Sequence, residues 1–247
     1  MIKSVRIFNL PNSPKYSENL DRYYDVYVEL VRKIPYLVKY YGYRILSLPD
    51  NDLFPKPEYK YMEELWWPDQ ETYKIALESK EHKSIIKKLQ VSCPAFKIED
   101  QKELLLLNEI NILHPMKTGQ DQLSMEELMG ETHIKTIWPL RYLDGESIEK
   151  REAWYLNHHT RVAARNFNLI RYVSYKVDKN LTKDDFGVVR WSEIVWRDRE
   201  LMLNDFNSPL GEEVKKDNED ENGNWKVVTD TRFIHFPFVV GNQIVFK

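Results

Sequence analysis

Residues 154–172 read Trp154-Tyr155-Leu156-Asn157-His158-His159-Thr160-Arg161-Val162-Ala163-Ala164-Arg165-Asn166-Phe167-Asn168-Leu169-Ile170-Arg171-Tyr172. Apolar residues recur at helical spacing, then a turn leads into a β-prone segment. A weaker twin lies earlier, from Tyr23-Tyr24 through Tyr27-Val28-Glu29-Leu30-Val31 to Ile34-Pro35 and Lys39-Tyr40. One offset of 132 residues carries Tyr27 onto His159, Pro35 onto Phe167 and Lys39-Tyr40 onto Arg171-Tyr172. The same offset carries Ile2-Lys3-Ser4 onto Ile134-Lys135-Thr136. A near-equal offset of 129 carries Glu64-Leu65-Trp66-Trp67-Pro68-Asp69 onto Glu193-Ile194-Val195-Trp196-Arg197-Asp198, and Ser79 onto Ser208. The small drift between offsets is what unequal loops produce. The chain reads as two copies of one fold.

Each copy has the same element order. In the first, strands are expected at 2–9, 38–46, 59–67 and 104–113, with helices before Pro35, from Gln70 to Glu78 and from Ser84 to Gln90. Asp69 is placed to cap the helix at Gln70, and Ser79 to His82 reads as a turn. In the second, strands are expected at 134–142, 171–177, 187–197 and 225–240, with helices at 148–166 and 199–206. The order strand, helix, strand, strand, helix, strand is that of the ferredoxin-like fold, a four-stranded antiparallel sheet with helices on one face. The expected class is α+β, with units at residues 1–113 and 133–247 joined by a polar linker at 114–132. The stretch from Lys215 to Asn224 is almost wholly charged or amide and reads as a solvated loop.

Composition narrows the function. The chain has 247 residues, 42% hydrophobic and 13% aromatic, enough for two cores of roughly 110 residues each. Charged residues make up 30% but the net charge is only −3, which argues against a general nucleic-acid binder. A single cysteine, Cys93, permits no intrachain disulfide. No run of eighteen apolar residues suggests a membrane span, and the N-terminus reads directly as a strand, not a leader. A cytoplasmic location is expected. There is no phosphate-cradling Gly-rich loop, no Gly-x-Ser-x-Gly elbow and no pair of metal ligands at useful spacing.

The pattern of Tyr or Trp, then His, then an apolar helix ending near a proline position, then Arg-Tyr, resembles the EthD-like branch of the dimeric α+β-barrel superfamily. In that superfamily two ferredoxin-like units pair their sheets into one barrel, so a single chain holding both units is expected to close a barrel alone. The copies depart from the pattern in different ways. The second keeps His159 but has Phe167 in the proline position; the first keeps Pro35 but has Tyr27 in place of the histidine. Tyr27-Val28-Glu29-Leu30-Val31…Pro35 and Ser79-Lys80-Glu81-His82 also resemble the related stress-responsive barrels. Those include plant polyketide cyclases that use a Tyr/His pair without a cofactor.

The resemblance implies His159, Tyr27 and His82 as catalytic residues. Trp154, Trp196, Arg171, Tyr172 and His235 are the candidate lining of an apolar or aromatic ligand site, with His235 in the last strand either beside the cavity or facing solvent. An imidazole can carry a proton near neutral pH, and Tyr27 could donate to an oxyanion. The plainer reading makes His159 a hydrogen-bonded core histidine, Tyr27 a core tyrosine and His82 an exposed turn residue. The expected activity is cofactor-free proton transfer of lyase or isomerase type: dehydration, cyclisation, isomerisation or decarboxylation of a polyketide-like small molecule. The alternatives are a haem enzyme with His159 or His235 as axial ligand, or a non-catalytic carrier of an apolar ligand. The expected partner is a small molecule, not nucleic acid or membrane, with a homodimer left open. The larger cavity is expected between helix 148–166 and the sheet of the second copy.

Overall fold

The computed structural model describes residues 1–9, 27–45, 59–92, 102–113, 133–142, 145–166, 168–182, 187–220, 222, 226–229, 238–239 and 244–246. The first unit contributes β1 (Ile2–Phe8), a helix α1 at residues 27–31, β2 (Lys39–Arg44) and β3 (Tyr61–Trp67). It continues with α2 (Gln70–Glu78), α3 (Lys80–Ser92) and β4 (Lys102–Asn111). The second contributes β5 (Ile134–Tyr142) and α4 (Ile148–Trp154), then a π-helical turn (Tyr155–His159) that runs into α5 (Thr160–Ala163). After these come β6 (Leu169–Val177), β7 (Arg190–Trp196), α6 (Arg199–Phe206) and α7 (Pro209–Asp217). The last strands are β8 (Val227–Thr229), β9 (Phe238–Val239) and β10 (Ile244–Phe246).

Strand order is β10-β2-β3-β1-β4-β6-β7-β5-β8, with β9 also on β5. Within each unit this is the ferredoxin-like order, every pairing antiparallel. The two units join twice and in the same way. The last strand of the first unit, β4, pairs with β6, the second strand of the second unit. At the other junction two short strands take part: β9 pairs with β5 and β10 with β2. The path that begins at β2 and ends at β5 is thereby closed into an α+β barrel, and closure leaves little exposed strand edge. The helices lie outside, so both faces of the sheet are covered and the strands are buried almost along their length.

Alternation in β1 sorts the interior from the helix side. Val5 and Ile7 enter the barrel core with Tyr41, Tyr43, Trp66, Leu104, Leu106, Val173, Tyr175, Trp191 and Val195. Phe8 lies on the other face, among Tyr27, Val31, Tyr40, Trp67 and Leu105 beneath the helices. Lys3 shares the inward parity of Val5, and this is where the repeat acquires a physical meaning. Lys3 pairs with Glu193 and lies 3.4 Å from Glu64; Lys135 pairs with Glu64 and lies 3.1 Å from Glu193. All four side chains are at most 1% exposed. These are the residues that the two sequence offsets matched. Two charged residues from each unit thus meet inside the barrel, with Arg171 also 3.6 Å from Glu193. Tyr43 donates to Glu64 at 3.0 Å, and the Lys3 and Lys135 ammonium groups sit 4.1 and 4.7 Å from the Tyr175 and Tyr43 rings.

Helix starts follow from caps. Asp69 accepts from the Thr72 N–H at 2.8 Å while the Thr72 hydroxyl accepts from Asp69, a closed capping box. Asp198 caps α6 in the matched position. Three expectations are corrected. Ser79 to His82 is not an open turn, because α3 begins at Lys80 and His82 lies in its first turn. Lys215 to Asn224 is not all loop: Ser208 caps α7, Pro209 occupies its first turn, and the helix runs to Asp217. The expected strand at 225–240 is seen in the described residues as the short segments β8 and β9, with β10 beyond them. The proposed linker at 114–132, Cys93, Phe167 and His235 fall outside the described residues. No helix among the described residues is long and apolar enough to cross a membrane.

Candidate functional site

The helix of the second unit starts at Ser147, whose hydroxyl accepts from the Lys150 N–H at 3.2 Å. It is α-helical to Trp154 and then widens. The Thr160 N–H reaches back five residues to the Tyr155 carbonyl, and the Thr160 hydroxyl donates to the Leu156 carbonyl at 2.9 Å. One residue more per turn changes which side chains share a face. Tyr155 and Thr160 are the buried pair. His159, which regular α spacing would put above Tyr155 and toward the sheet, is carried sideways.

His159 therefore faces α7. Its Nδ1 lies 2.7 Å from Oδ2 of Asp217, and its ring packs on Trp154 and Tyr155 at centroid distances of 5.1 and 5.7 Å. The other Asp217 oxygen is 2.7 Å from Nε2 of His158, a side chain 60% exposed. Burial works against ionisation of Asp217, but the bonds and charges of His159 and His158 outweigh it and hold the carboxyl below its ordinary range. An ionised Asp217 must accept, so His159 Nδ1 carries the proton. No described residue bonds its Nε2. The imidazole is 13% exposed, oriented by a carboxylate and still in reach of water. Arg165 and Glu213 form a second bridge between the same elements.

The expected lining residues do not gather round it. Trp154 is at His159. Trp196 is not: its Nε1 donates to Asp205 at 2.8 Å and its ring packs on Phe206. Tyr172 faces the helix but is engaged in a chain of hydroxyls. Its oxygen is 3.2 Å from that of Tyr155, which is 2.8 Å from Ser192, which donates to Ser174. Arg190 closes the chain on Ser174 at 3.1 Å and on Glu152 at 3.0 Å. Arg171, the neighbour of Tyr172, points to the opposite face by strand alternation, 3.6 Å from Glu193 and 3.4 Å from Glu109. Arg171 and Tyr172 cannot line one cavity.

In the first unit the structure joins Tyr27 and His82 through a residue not singled out in the sequence, Arg6. Arg6 donates to the Tyr27 oxygen at 3.0 Å and lies 3.3 Å from His82 Nε2 and 3.4 Å from Glu103. The Tyr27 proton goes to Glu63 at 2.9 Å, and Tyr40 donates to the other Glu63 oxygen at 2.8 Å. Burial, then the Glu63 charge, push the Tyr27 phenol far above its ordinary range, so it stays protonated. That proton is committed to Glu63, so Tyr27 is not poised to donate to an oxyanion. His82 is half-buried against an arginine, not exposed in a turn. Arg6 and Glu63 face each other across β1 and β3, a pairing that needs the strand register to be seen. Asp217 was equally hidden, inside the stretch read as loop, although Ser208-Pro209 is a helix-start signal.

A groove of about 540 Å³ lies between the end of β4 and the helix of the second unit, lined by Ile110, Asn111, Ile112, Leu156, Asn157, Thr160 and Arg161. Its helical wall is the expected one. Its strand wall belongs to the first unit, and His159 does not line it. No group of three or more His, Cys, Asp or Glu that could hold a metal exists among the described residues.

Solved structures with the same architecture span the whole chain. An anthrone oxidase-like protein matches 99% of this chain and 92% of its own, with 8% identity and a TM-score of 0.59. A mutant chlorite dismutase from Candidatus Nitrospira defluvii matches 96% of this chain and 90% of its own, with 10% identity and a TM-score of 0.54. The chain has the dimeric α+β-barrel fold, with both halves in one polypeptide. An EthD family protein from Bacillus halodurans covers 42% of this chain and 95% of its own at 21% identity, with a TM-score of 0.35. These identities speak for fold and not for activity. No family model matches the chain, and no curated protein matches it.

Proposed function

We propose that this barrel is a cofactor-free enzyme that moves a proton on an apolar or aromatic, polyketide-like small molecule. The reaction class is dehydration, cyclisation, isomerisation or decarboxylation. The observation that carries this reading is the His159–Asp217 pair at 2.7 Å. A carboxylate on Nδ1 fixes the tautomer and leaves Nε2 as the proton acceptor, the arrangement that makes an imidazole a general base. Asp217 stabilises the imidazolium that forms; His159 then returns the proton to the leaving oxygen or the carbon framework. Trp154 packs on the imidazole, and the Lys226 ammonium, which donates to the Asp217 carbonyl, sits 5.1 Å from the indole. Tyr27, Arg6 and His82 form a separate hydrogen-bonded network in the first unit, with the Tyr27 proton already bound by Glu63.

One observation favours a second reading. An imidazole whose Nδ1 is held by a carboxylate is also suited to bind a metal through Nε2. His159 would then hold a haem through Nε2, with Asp217 behind it, and the haem would supply redox chemistry when bound. Mass spectrometry of the denatured protein, together with its visible spectrum, separates these readings. The cofactor-free account expects no Soret band, and turnover of the co-purified molecule or an aromatic relative of it. A Soret band that disappears in His159→Ala would overturn that account in favour of haem. A co-purified molecule that is bound but never converted would leave a carrier.

A further inference from the structure

We propose that the groove between β4 and the helix of the second unit binds a small apolar molecule carrying one carboxylate, at a site distinct from His159. Its volume, about 540 Å³, falls in the roughly 300–1,000 Å³ range of small-molecule pockets. Its body is aliphatic, from Ile110, Ile112 and Leu156, with polar groups at Asn157, Thr160 and Arg161 along one helix edge and at Asn111 on the strand wall.

Charge identifies the ligand. Arg151, Arg165, Arg171 and Arg190 each meet a carboxylate: Glu146, Glu213, Glu109 with Glu193, and Glu152 respectively. Arg161 is exposed and makes no ion pair with any described residue. A guanidinium at the rim of an apolar groove presents a planar fork that matches a carboxylate in two parallel hydrogen bonds.

Two departures from regular backbone open the groove. β4 bulges between Leu107 and Ile110, with Asn108 at a φ of 51°, immediately before the strand wall. The π-helical turn ends at Thr160, in the helical wall. A bulge bends its strand and a π turn widens its helix, and both act on the same space. The groove also lies across the seam of the two units, with its strand from one and its helix from the other. His159 is turned away from it, toward Asp217.

The probe is 2-naphthoate, with its methyl ester as the uncharged control, titrated calorimetrically into the intact chain. One site per chain is expected, with the ester binding about fivefold more weakly, the scale of a charge-assisted pair at a wet rim. Arg161→Ala should bring the acid down to the ester's affinity and leave the ester unchanged; Arg161→Lys should fall between. Asn157→Trp, which fills the groove from an exposed helix position, should abolish both, with an unchanged melting temperature showing that the fold is intact. His159→Ala should leave both unchanged. Equal binding of acid and ester, an unaltered acid in Arg161→Ala, or no binding at millimolar naphthoate would each overturn the proposal. Loss of binding in His159→Ala would move the molecule to the proton-transfer site and overturn it as well.

Discussion

Replacing Glu193 by Gln keeps the shape of the side chain and removes one charge from the centre of the barrel. The square Lys3, Lys135, Glu64, Glu193 is then left with one uncompensated positive charge, in side chains that are at most 1% exposed. Breaking a buried pair by removing one partner costs about 3–5 kcal/mol. For a chain of this length about 2–4 °C is lost per kcal/mol, so the melting temperature should fall by roughly 6–20 °C. Lys3→Met should destabilise by a similar amount, with the opposite sign of residual charge. The double variant Lys3→Met/Glu193→Gln restores neutrality and keeps the Lys135–Glu64 pair. It should be more stable than the sum of the single effects predicts by roughly 2–3 kcal/mol, the upper range for contacting residues. The assay is urea unfolding followed by circular dichroism. A Glu193→Gln protein within about 0.5 kcal/mol of wild type, the scatter of ordinary surface substitutions, would refute the reasoning. So would strict additivity in the double variant.

Three further outcomes follow from the same structure. Burial opposes ionisation of Glu193, but Lys135, Lys3 and Arg171 hold its carboxyl well below the ordinary range. Asp217 is also held low. A depressed folded value gives stability that is present above the unfolded pKa of about 4 and lost as pH falls through the folded value. The urea midpoint should therefore drop steadily below about pH 4.5, and less steeply in Glu193→Gln. Gly211→Ala, which in an open helix would gain about 1 kcal/mol, should instead destabilise by about 1–3 kcal/mol, because a Cβ there would lie 2.4 Å from the Asp205 carbonyl oxygen; thermal melting gives the sign. Tyr27→Phe should cost about 1–3 kcal/mol, since Arg6 and Glu63 each lose a buried partner, and a thermally neutral substitution would contradict the network.

The repeat was readable because the residues that match are the ones the barrel cannot vary. Lys3 with Lys135 and Glu64 with Glu193 meet inside the barrel, and Asp69 with Asp198 cap equivalent helices. The strands at 134–142 and the helices at 70–78 and 199–206 were legible from alternation and caps. The site was less so. A π turn leaves no periodic signal, since Tyr155 and His159 have ordinary α spacing until Thr160 bonds back to Tyr155. The charged run containing Asp217 looked like loop because helix α7 is polar on most faces. Arg6 could not be linked to Tyr27 and His82 without the sheet register. That four charged residues would point inward was also unreadable from β1, where Lys3 simply alternates with Ser4.

The central claim is that His159, oriented by Asp217, carries the proton. It is tested by turnover per folded molecule and melting temperature, measured together on wild type, His159→Ala and His159→Gln. The account predicts a fall in turnover of roughly 10²–10⁴-fold in both variants, because an amide can hydrogen-bond to Asp217 but cannot accept and return a proton, with both proteins folded at the assay temperature. Unchanged turnover in His159→Ala, or a loss of melting temperature in alanine that glutamine repairs along with activity, would contradict it and leave His159 as a tie between two helices.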